Sequence, residues 1–95
     1  MNELVFKELK LNLDIKICTI GEKEINLTKN EFNLLEFLIK NKNKIYCRQE
    51  ILNNVWSSKV SLRTVDTTIS RLRKKMKDSG KYLVTRLGFG YGILE

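Results

Sequence analysis

The segment 62–76 carries the side chains whose types and spacing are best suited to binding chemistry. Arg63, Thr67, Arg71 and Lys74 recur every three or four residues, so at about 100° per residue they share one face of a helix. An Arg can donate two hydrogen bonds to guanine, a Thr can contact a thymine methyl, and a Lys can neutralise a phosphate. This composition suits the major groove of duplex DNA; the alternative is a solvated basic face without a ligand.

The opposite face of the same helix is apolar and is predicted to face a core. Asp66 and Arg73 fall near the boundary between the two faces, and the outer sector beyond them holds no acidic residue. Ordinary surface helices mix acids with bases, which pair at i,i+4, so the missing acids favour a polyanionic ligand. The core face consists of Leu62, Val65, Ile69, Leu72 and Met76.

The charge of the whole chain agrees with that preference. Eighteen Lys and Arg oppose eleven Asp and Glu, which gives a net charge of +7 in the absence of His. Such a surface favours nucleic acid first and an anionic membrane face second. The alternative is that the charge only keeps the protein dispersed.

Catalytic, metal and cofactor chemistry finds little support in the sequence. Cys18 and Cys47 are far apart with no second Cys or His nearby, which rules out the usual zinc spacings and any disulfide framework. We expect both to be free buried thiols in a reducing cytoplasm. Gly88-Phe89-Gly90 is too short to cradle a phosphate. The sequence therefore predicts no catalytic residue, no metal, no cofactor and no enzyme activity.

Length and hydropathy predict one small domain over residues 1–95. The first residues lack a signal-peptide pattern, and no apolar run approaches the roughly 20 residues needed to cross a bilayer. We expect a soluble, cytoplasmic protein with no membrane partner.

Alternating polarity predicts an antiparallel sheet of three or four strands over residues 3–27. Its strands are expected at Val5–Leu13, Ile15–Ile20 and Glu24–Leu27, with a turn at Gly21–Lys23. Beyond this sheet the hydrophobic period changes from two residues to that of a helix.

Three helices are predicted at about 29–41, 48–56 and 62–79. Thr28 and Glu31 form a capping box for the first, which is apolar enough to be buried. Gly80 is expected to close the third helix.

Strands at 82–85 and 91–94 are predicted to form a hairpin over 82–94, with Gly88-Phe89-Gly90 at its tip. The hairpin is either a plain turn or an arm that carries Arg86 into a minor groove. Trp56 is either core filling, the commoner fate, or a groove-flanking residue whose indole N–H reaches a phosphate. Tyr91 has the same two interpretations.

Four motifs, in this order and spacing, resemble the effector domain of OmpR/PhoB-type bacterial response regulators. The resemblance implies an α+β winged helix-turn-helix fold with an N-terminal antiparallel four-stranded sheet, three helices and a C-terminal β-hairpin wing. The motifs are Leu27-Thr28 with Glu31-Phe32 and Leu34-Leu35; Arg48, Leu52 and Trp56; Arg63-Thr64-Val65-Asp66 followed by Ile69 and Arg71–Lys75; and Gly88-Phe89-Gly90-Tyr91.

The resemblance also implies contacts and partners. The expected ligand is double-stranded promoter DNA with direct repeats, and the loop 57–62 is where such proteins often touch RNA polymerase. Asp66, Thr67 and Arg71 match positions that approach bases. Positions that approach the sugar-phosphate backbone are matched by Trp56, Arg63, Thr64, Thr68, Arg73, Thr85 and Tyr91. Helical phase adds Lys74 as a phosphate contact, and the hairpin adds Arg86.

The chain departs from the family pattern in its wing and loops. The wing Arg usually stands directly before the first glycine, where this chain has Leu87, and Arg86 comes one residue earlier. Because strand residues alternate between faces, the shift is expected to turn Arg86 away from the minor groove. Ser70 replaces a common basic residue, and the loop after Trp56 is about two residues short for the family, which argues against a polymerase contact.

Family members usually begin with a phosphorylatable receiver domain, and its acidic cluster is not found in this sequence. The chain is therefore either an excised effector domain, whose partners would include a receiver and a sensor kinase, or a stand-alone DNA binder. The main rival function is a protein-interaction module that docks an acidic partner on the basic helix. RNA binding is less favoured, because no aromatic platform for unpaired bases is evident.

Overall fold

The structure, a computed structural model, describes residues 2–95, and it begins with a four-stranded antiparallel sheet. The strands pair in chain order, and their inner side chains, among them Leu9 and Leu11, are buried. They are β1 (Glu3–Phe6), β2 (Leu9–Asn12), β3 (Ile17–Ile20) and β4 (Lys23–Ile25). The predicted sheet is confirmed, but a single strand over Val5–Leu13 is wrong. A turn at Lys7, whose φ is 55°, divides it into two strands.

The three predicted helices are present as α1 (Lys29–Lys40), α2 (Arg48–Val55) and α3 (Leu62–Lys75). The capping box of α1 is confirmed: the Glu31 backbone N–H donates to Thr28 Oγ1 at 3.2 Å, and the Thr28 N–H donates to Glu31 Oε1 at 2.9 Å. None of the helices in residues 2–95 combines the length and the apolar character that a membrane span requires.

The predicted end of α3 near residue 79 is wrong. The helix ends at Lys75, Lys77 adopts φ 55°, and a 3-10 turn follows over Lys77–Tyr82. Gly80 lies buried within that turn, where a Cβ would stand 2.6 Å from the Arg73 carbonyl oxygen. Gly80 therefore serves close packing of the turn against α3 and does not cap the helix.

The C-terminal hairpin consists of β5 (Leu83–Arg86) and β6 (Gly90–Ile93), each strand shifted by one residue from its predicted position. Its tip is Leu87-Gly88-Phe89, and we call β5, the tip and β6 the wing. Tyr46, between α1 and α2, forms an antiparallel bridge to Tyr91 of β6. Gly90 has φ +140°, and a Cβ there would overlap the Tyr46 carbonyl oxygen, so the wing can lie this close only with glycine.

One apolar core joins the sheet, the helices and the wing. It contains Leu34, Leu35 and Leu38 of α1 together with residues of the other helices and the wing. Of the predicted apolar face of α3, Leu62 is half-buried and the other four side chains are buried: Val65, Ile69, Leu72 and Met76. The side of α3 opposite this core is thereby fixed towards solvent.

The two thiols differ in their surroundings. Cys18 is buried, and burial raises the pKa of its thiol to about 11. Cys47 is exposed at the N-cap of α2, so the prediction that both are buried is wrong for this residue. The position directly before α2 lies outside the core because the chain enters that helix from the surface.

A buried carboxylate ties α1 to the end of α3. Glu31 is 2% exposed, and Lys75 Nζ donates to its Oε1 at 2.7 Å. Burial by itself would raise the pKa of Glu31, but hydrogen bonds from Lys75 and Thr28 and the Lys75 charge hold it below 4.5. The pair therefore fixes the last turn of the basic helix against the core.

Replacing Glu31 by Gln is expected to lower the free energy of unfolding at neutral pH by about 1–2 kcal/mol, because a charged hydrogen-bond acceptor is lost. The folded-state pKa is depressed, so the carboxylate's contribution is complete above 4.5 and is lost as pH falls through the folded-state value. Urea denaturation at several pH values should show the parent approaching the variant in acid.

Glu36→Gln is the matched control, since Glu36 lies on the same helix in a solvent-accessible pair with Lys40 at 2.8 Å. We expect it to change stability by less than about 0.5 kcal/mol. Equal losses for Glu31→Gln and Glu36→Gln would contradict the proposed role of the buried pair.

Candidate nucleic-acid interface

The outer face of α3 presents free cations to solvent. Arg63, Thr67, Arg71 and Lys74 are all exposed, as the helical phase predicts. Within residues 2–95, none of the three cations forms an ion pair or a side-chain hydrogen bond. Thr67 donates its hydroxyl to the Arg63 carbonyl at 3.1 Å, so its oxygen can act towards a ligand only as an acceptor. This face of α3 therefore offers exposed positive charges to an anionic ligand.

The flank of α3 nearest the wing is organised around Asp66. Its Oδ1 accepts a hydrogen bond from the Tyr91 hydroxyl at 2.6 Å, and its Oδ2 accepts one from Arg48 Nη1 at 3.0 Å. One carboxylate thus joins α3 to the first turn of α2 and to β6. The pKa of Tyr91 is raised to about 12, first by burial and then by the hydrogen bond to Asp66 and the negative charge of Asp66. The positive charges of Arg48 and Arg73 oppose this rise by smaller amounts.

Arg73 connects the opposite end of α3 to the other wing strand. Its Nε donates to the Leu83 carbonyl at 3.0 Å and its Nη2 donates to Thr85 Oγ1 at 2.9 Å. Arg73 and Thr85, which are both predicted to contact the sugar-phosphate backbone of DNA, are therefore hydrogen-bonded to each other. With the Asp66 contacts, the wing is attached to the basic helix at two points.

The remaining helix residues predicted to contact the DNA backbone are half-buried or buried. Thr68 donates its hydroxyl to the Thr64 carbonyl at 2.8 Å, and both residues are half-buried. Trp56 is 8% exposed and packs in the core, which agrees with the core-filling interpretation. Its indole N–H makes no hydrogen bond within residues 2–95, yet no buried polar side-chain atom there is unpaired, so the N–H reaches the surface.

The wing turns alternate residues of β5 towards α3. Leu83 is buried and Thr85 bonds to Arg73, so these two alternate residues face the helix. Arg86, the next residue, is exposed and lines the groove beside α3, so its expected turn away from the minor groove stays a prediction. An open groove separates the wing tip from Arg48 and from the N-terminal turns of α3.

Two features of this surface were missed from the sequence. Arg48 was noted only as part of a motif, because its partner Asp66 lies 18 residues away. Leu87 and Phe89 at the wing tip stand exposed, and two apolar residues at a hairpin tip are a signal that the sequence did contain. No group of three or more His, Cys, Asp or Glu suited to a metal occurs in the described part of the chain.

The fold and this surface define a winged helix-turn-helix domain with a basic helix beside a docked wing. Residues 22–93 match the family described as "Transcriptional regulatory protein, C terminal". The match covers most of the chain, and the protein belongs to this family of transcriptional regulators. The predicted resemblance and fold class are thereby confirmed.

Individual relatives agree with this assignment. The chain is 40% identical over 96 residues to the transcriptional regulatory protein ResD of Bacillus subtilis, covering 95% of this chain and 40% of that protein. It thus spans about two fifths of that relative's length.

Solved structures show the same architecture. Response regulator DrrB of Thermotoga maritima, an OmpR/PhoB homolog, is 34% identical with a TM-score of 0.86, over 98% of this chain and 44% of that one. The DNA binding domain of response regulator AdeR, solved in complex with an intercistronic region, is 30% identical with a TM-score of 0.88, over 97% and 99%.

Tyr91→Phe tests whether the Asp66 hydroxyl contact stabilises the docked wing. We expect the free energy of unfolding to fall by about 1–2 kcal/mol, since Asp66 loses a short hydrogen bond. Because the folded-state pKa is raised from 10.0 to about 12, the contribution is complete below pH 10 and is lost as pH rises through 12. Denaturation at neutral pH, together with an ultraviolet titration of the tyrosines, measures both effects.

Tyr46→Phe is the control, since the Tyr46 hydroxyl has no hydrogen-bond partner within residues 2–95 while its ring packs on Phe37. It should change stability by less than about 0.5 kcal/mol. If both variants lose the same stability, the Tyr91 hydroxyl does not hold the wing.

Proposed function

We propose that this chain binds double-stranded DNA sequence-specifically as the effector domain of a bacterial transcriptional regulator, with α3 in the major groove. The observation that carries the proposal is the outer face of α3, where Arg63, Arg71 and Lys74 are exposed and unpaired within the described residues. Asp66, the only acidic residue in the sequence of α3, is paired with Arg48 and accepts a hydrogen bond from Tyr91. A major groove supplies both the phosphates and the base edges that such a face can bind.

The proposed base contacts are Asp66, Thr67 and Arg71. Arg71 stands on the outer face with its guanidinium free, so it can donate two hydrogen bonds to guanine. Thr67 lies one turn earlier and can present its methyl group to thymine. Asp66 can accept from a cytosine amino group only by sharing or exchanging one of its present hydrogen bonds.

The proposed phosphate contacts surround these residues. Arg63 begins the helix and Lys74 lies near its end, so they fit anchors on either side of the groove. Arg73, Thr85 and Tyr91 lie where the helix meets the wing, and hydrogen bonds within the protein already orient them. The other proposed contacts are Trp56, through its surface N–H, Thr64, Thr68 and Arg86.

Further proposals concern the setting of this domain. Residues 1–95 form one DNA-binding domain, which the AdeR domain, solved with DNA and covered to 99%, supports. The response regulators among its relatives support a receiver domain as a partner. A sensor kinase as a further partner, direct repeats in promoters as targets and the bacterial cytoplasm as location rest on the resemblance of the motifs to the family. Contact with RNA polymerase would use the loop between α2 and α3, which exposes Ser57, Ser58 and Lys59.

Selection of random duplexes followed by sequencing tests the proposed function directly. A DNA-binding domain is expected to enrich a discrete motif, and Arg71→Ala is expected to lower affinity for that motif by about 1–3 kcal/mol without unfolding the protein. Unchanged binding by Arg71→Ala would refute the base contact. If no duplex is enriched, the protein-interaction function takes precedence.

The salt dependence of binding tests the phosphate contacts separately. Lys74→Ala is expected to reduce the slope of log K against log salt concentration by about one, since one phosphate contact is lost. Lys10→Ala is the matched control, because Lys10 is an exposed lysine on the N-terminal sheet. Equal slopes for the two variants would show that Lys74 of α3 does not contact a DNA phosphate.

A further inference from the structure

Two large apolar side chains stand in water at the tip of the wing. Leu87 is 92% exposed and Phe89 is 76% exposed, more than any other large apolar side chain in residues 2–95. A hairpin tip that only connects two strands is ordinarily polar, because solvating such groups is unfavourable. Neighbouring exposed apolar groups on a charged protein instead indicate a binding surface.

The backbone presents this tip in one defined conformation. The Phe89 N–H donates to the Arg86 carbonyl at 2.8 Å, and Gly88 has φ +83°. These features define a type II turn with Leu87 at its first central position, and glycine meets the positive φ of the second at little cost. Leu87 therefore projects from an ordered turn.

The tip continues the proposed DNA surface. The open groove is lined on the wing by Arg86, Leu87 and Phe89, among others. Its other lining residues include Arg48, Leu62 and Asp66. The wing is attached to α3 through Tyr91, so the tip keeps a set position beside the N-terminal half of that helix. An element held beside a helix in the major groove lies next to the adjacent minor groove.

The residues of the tip itself carry no charge. Arg86, the nearest cation, is the last residue of β5 and precedes the tip. The side chains that extend furthest at the turn are apolar. A purely electrostatic contact at the tip does not account for them.

We propose that Leu87 and Phe89 are apolar contacts to the minor groove of the DNA that α3 binds, and that they select a deformable base step. The inference rests on the proposed function and specifies how the wing contributes to it. Apolar side chains that enter a minor groove partly unstack a base step and kink the duplex. Pyrimidine–purine steps such as TA and CA unstack most easily, so the preferred site carries one beneath the wing.

The experiment uses a duplex enriched by random selection, carrying a fluorophore at each end and 2-aminopurine at the step beneath the wing. Leu87→Ala and Phe89→Ala are each expected to lower affinity roughly tenfold, as loss of a buried apolar side chain predicts. The salt slope should stay that of the parent, since no phosphate contact is lost. With either variant, the bending of the duplex, measured by energy transfer between its ends, should be smaller than with the parent. The 2-aminopurine emission should also be lower, because the base step beneath the wing stays stacked.

Arg86→Ala should behave in the opposite way, with a salt slope reduced by about one and unchanged bending. Val5→Ala and Ile15→Ala are the apolar controls, because these side chains are 61% and 62% exposed on the N-terminal part of the chain. Both controls should bind as the parent does. Thermal unfolding should be unchanged in every tip variant, since the substituted side chains have so little contact with the core.

The outcomes separate this inference from the proposed function. If Arg71→Ala loses affinity while both tip variants bind and bend the duplex like the parent, the minor-groove contact alone is overturned. Loss of affinity without a change in bending or emission would equally contradict insertion between bases. If the tip variants lose only cooperative binding to two adjacent sites, the tip contacts a second copy of the protein, and the proposal fails.

Discussion

The carboxylate of Asp66 is the point at which three elements of the DNA-facing surface meet. It accepts one hydrogen bond from Arg48 at the start of α2 and a second from Tyr91 on the wing. Because each bond reaches a different element, neither α2 nor the wing can shift without breaking a contact to a charged group. The angle between basic helix and wing is therefore set before any ligand binds, which lowers the ordering cost of association.

The same arrangement determines which side chains of α3 remain available. The helix buries one face in the core. On its flanks, Asp66 and Arg73 form hydrogen bonds to the two wing strands, and Lys75 forms one to Glu31. Only the outer strip, with Arg63 and Arg71, is left without partners within the described residues. The charged side chains on the flanks of α3 thus hold the helix to neighbouring elements. Their hydrogen bonds within the protein restrict how far they can move towards a ligand.

The periodic features of this fold were predictable from sequence, and the features that depend on distant contacts were not. The capping box at Thr28 and the apolar face of α3 follow from local spacing, and both are confirmed. The end of α3 was misplaced because Lys77 adopts a positive φ that residue type does not signal. The partners of Asp66 and Arg73 lie 10 to 25 residues away, so helical phase alone assigned both residues to the flanks.

In the proposed complex, α3 and the wing recognise DNA in different ways, because α3 carries exposed charge and the wing tip carries exposed apolar surface. Cations on α3 provide long-range attraction, but attraction to phosphate is nearly the same for every sequence and weakens with salt. Base edges read by α3 add specificity in the major groove only. An apolar tip at Leu87 adds a contribution that salt does not screen and that depends on how readily a base step deforms. In the proposed contact, Leu87 therefore makes the affinity of the wing depend on the stiffness of the duplex.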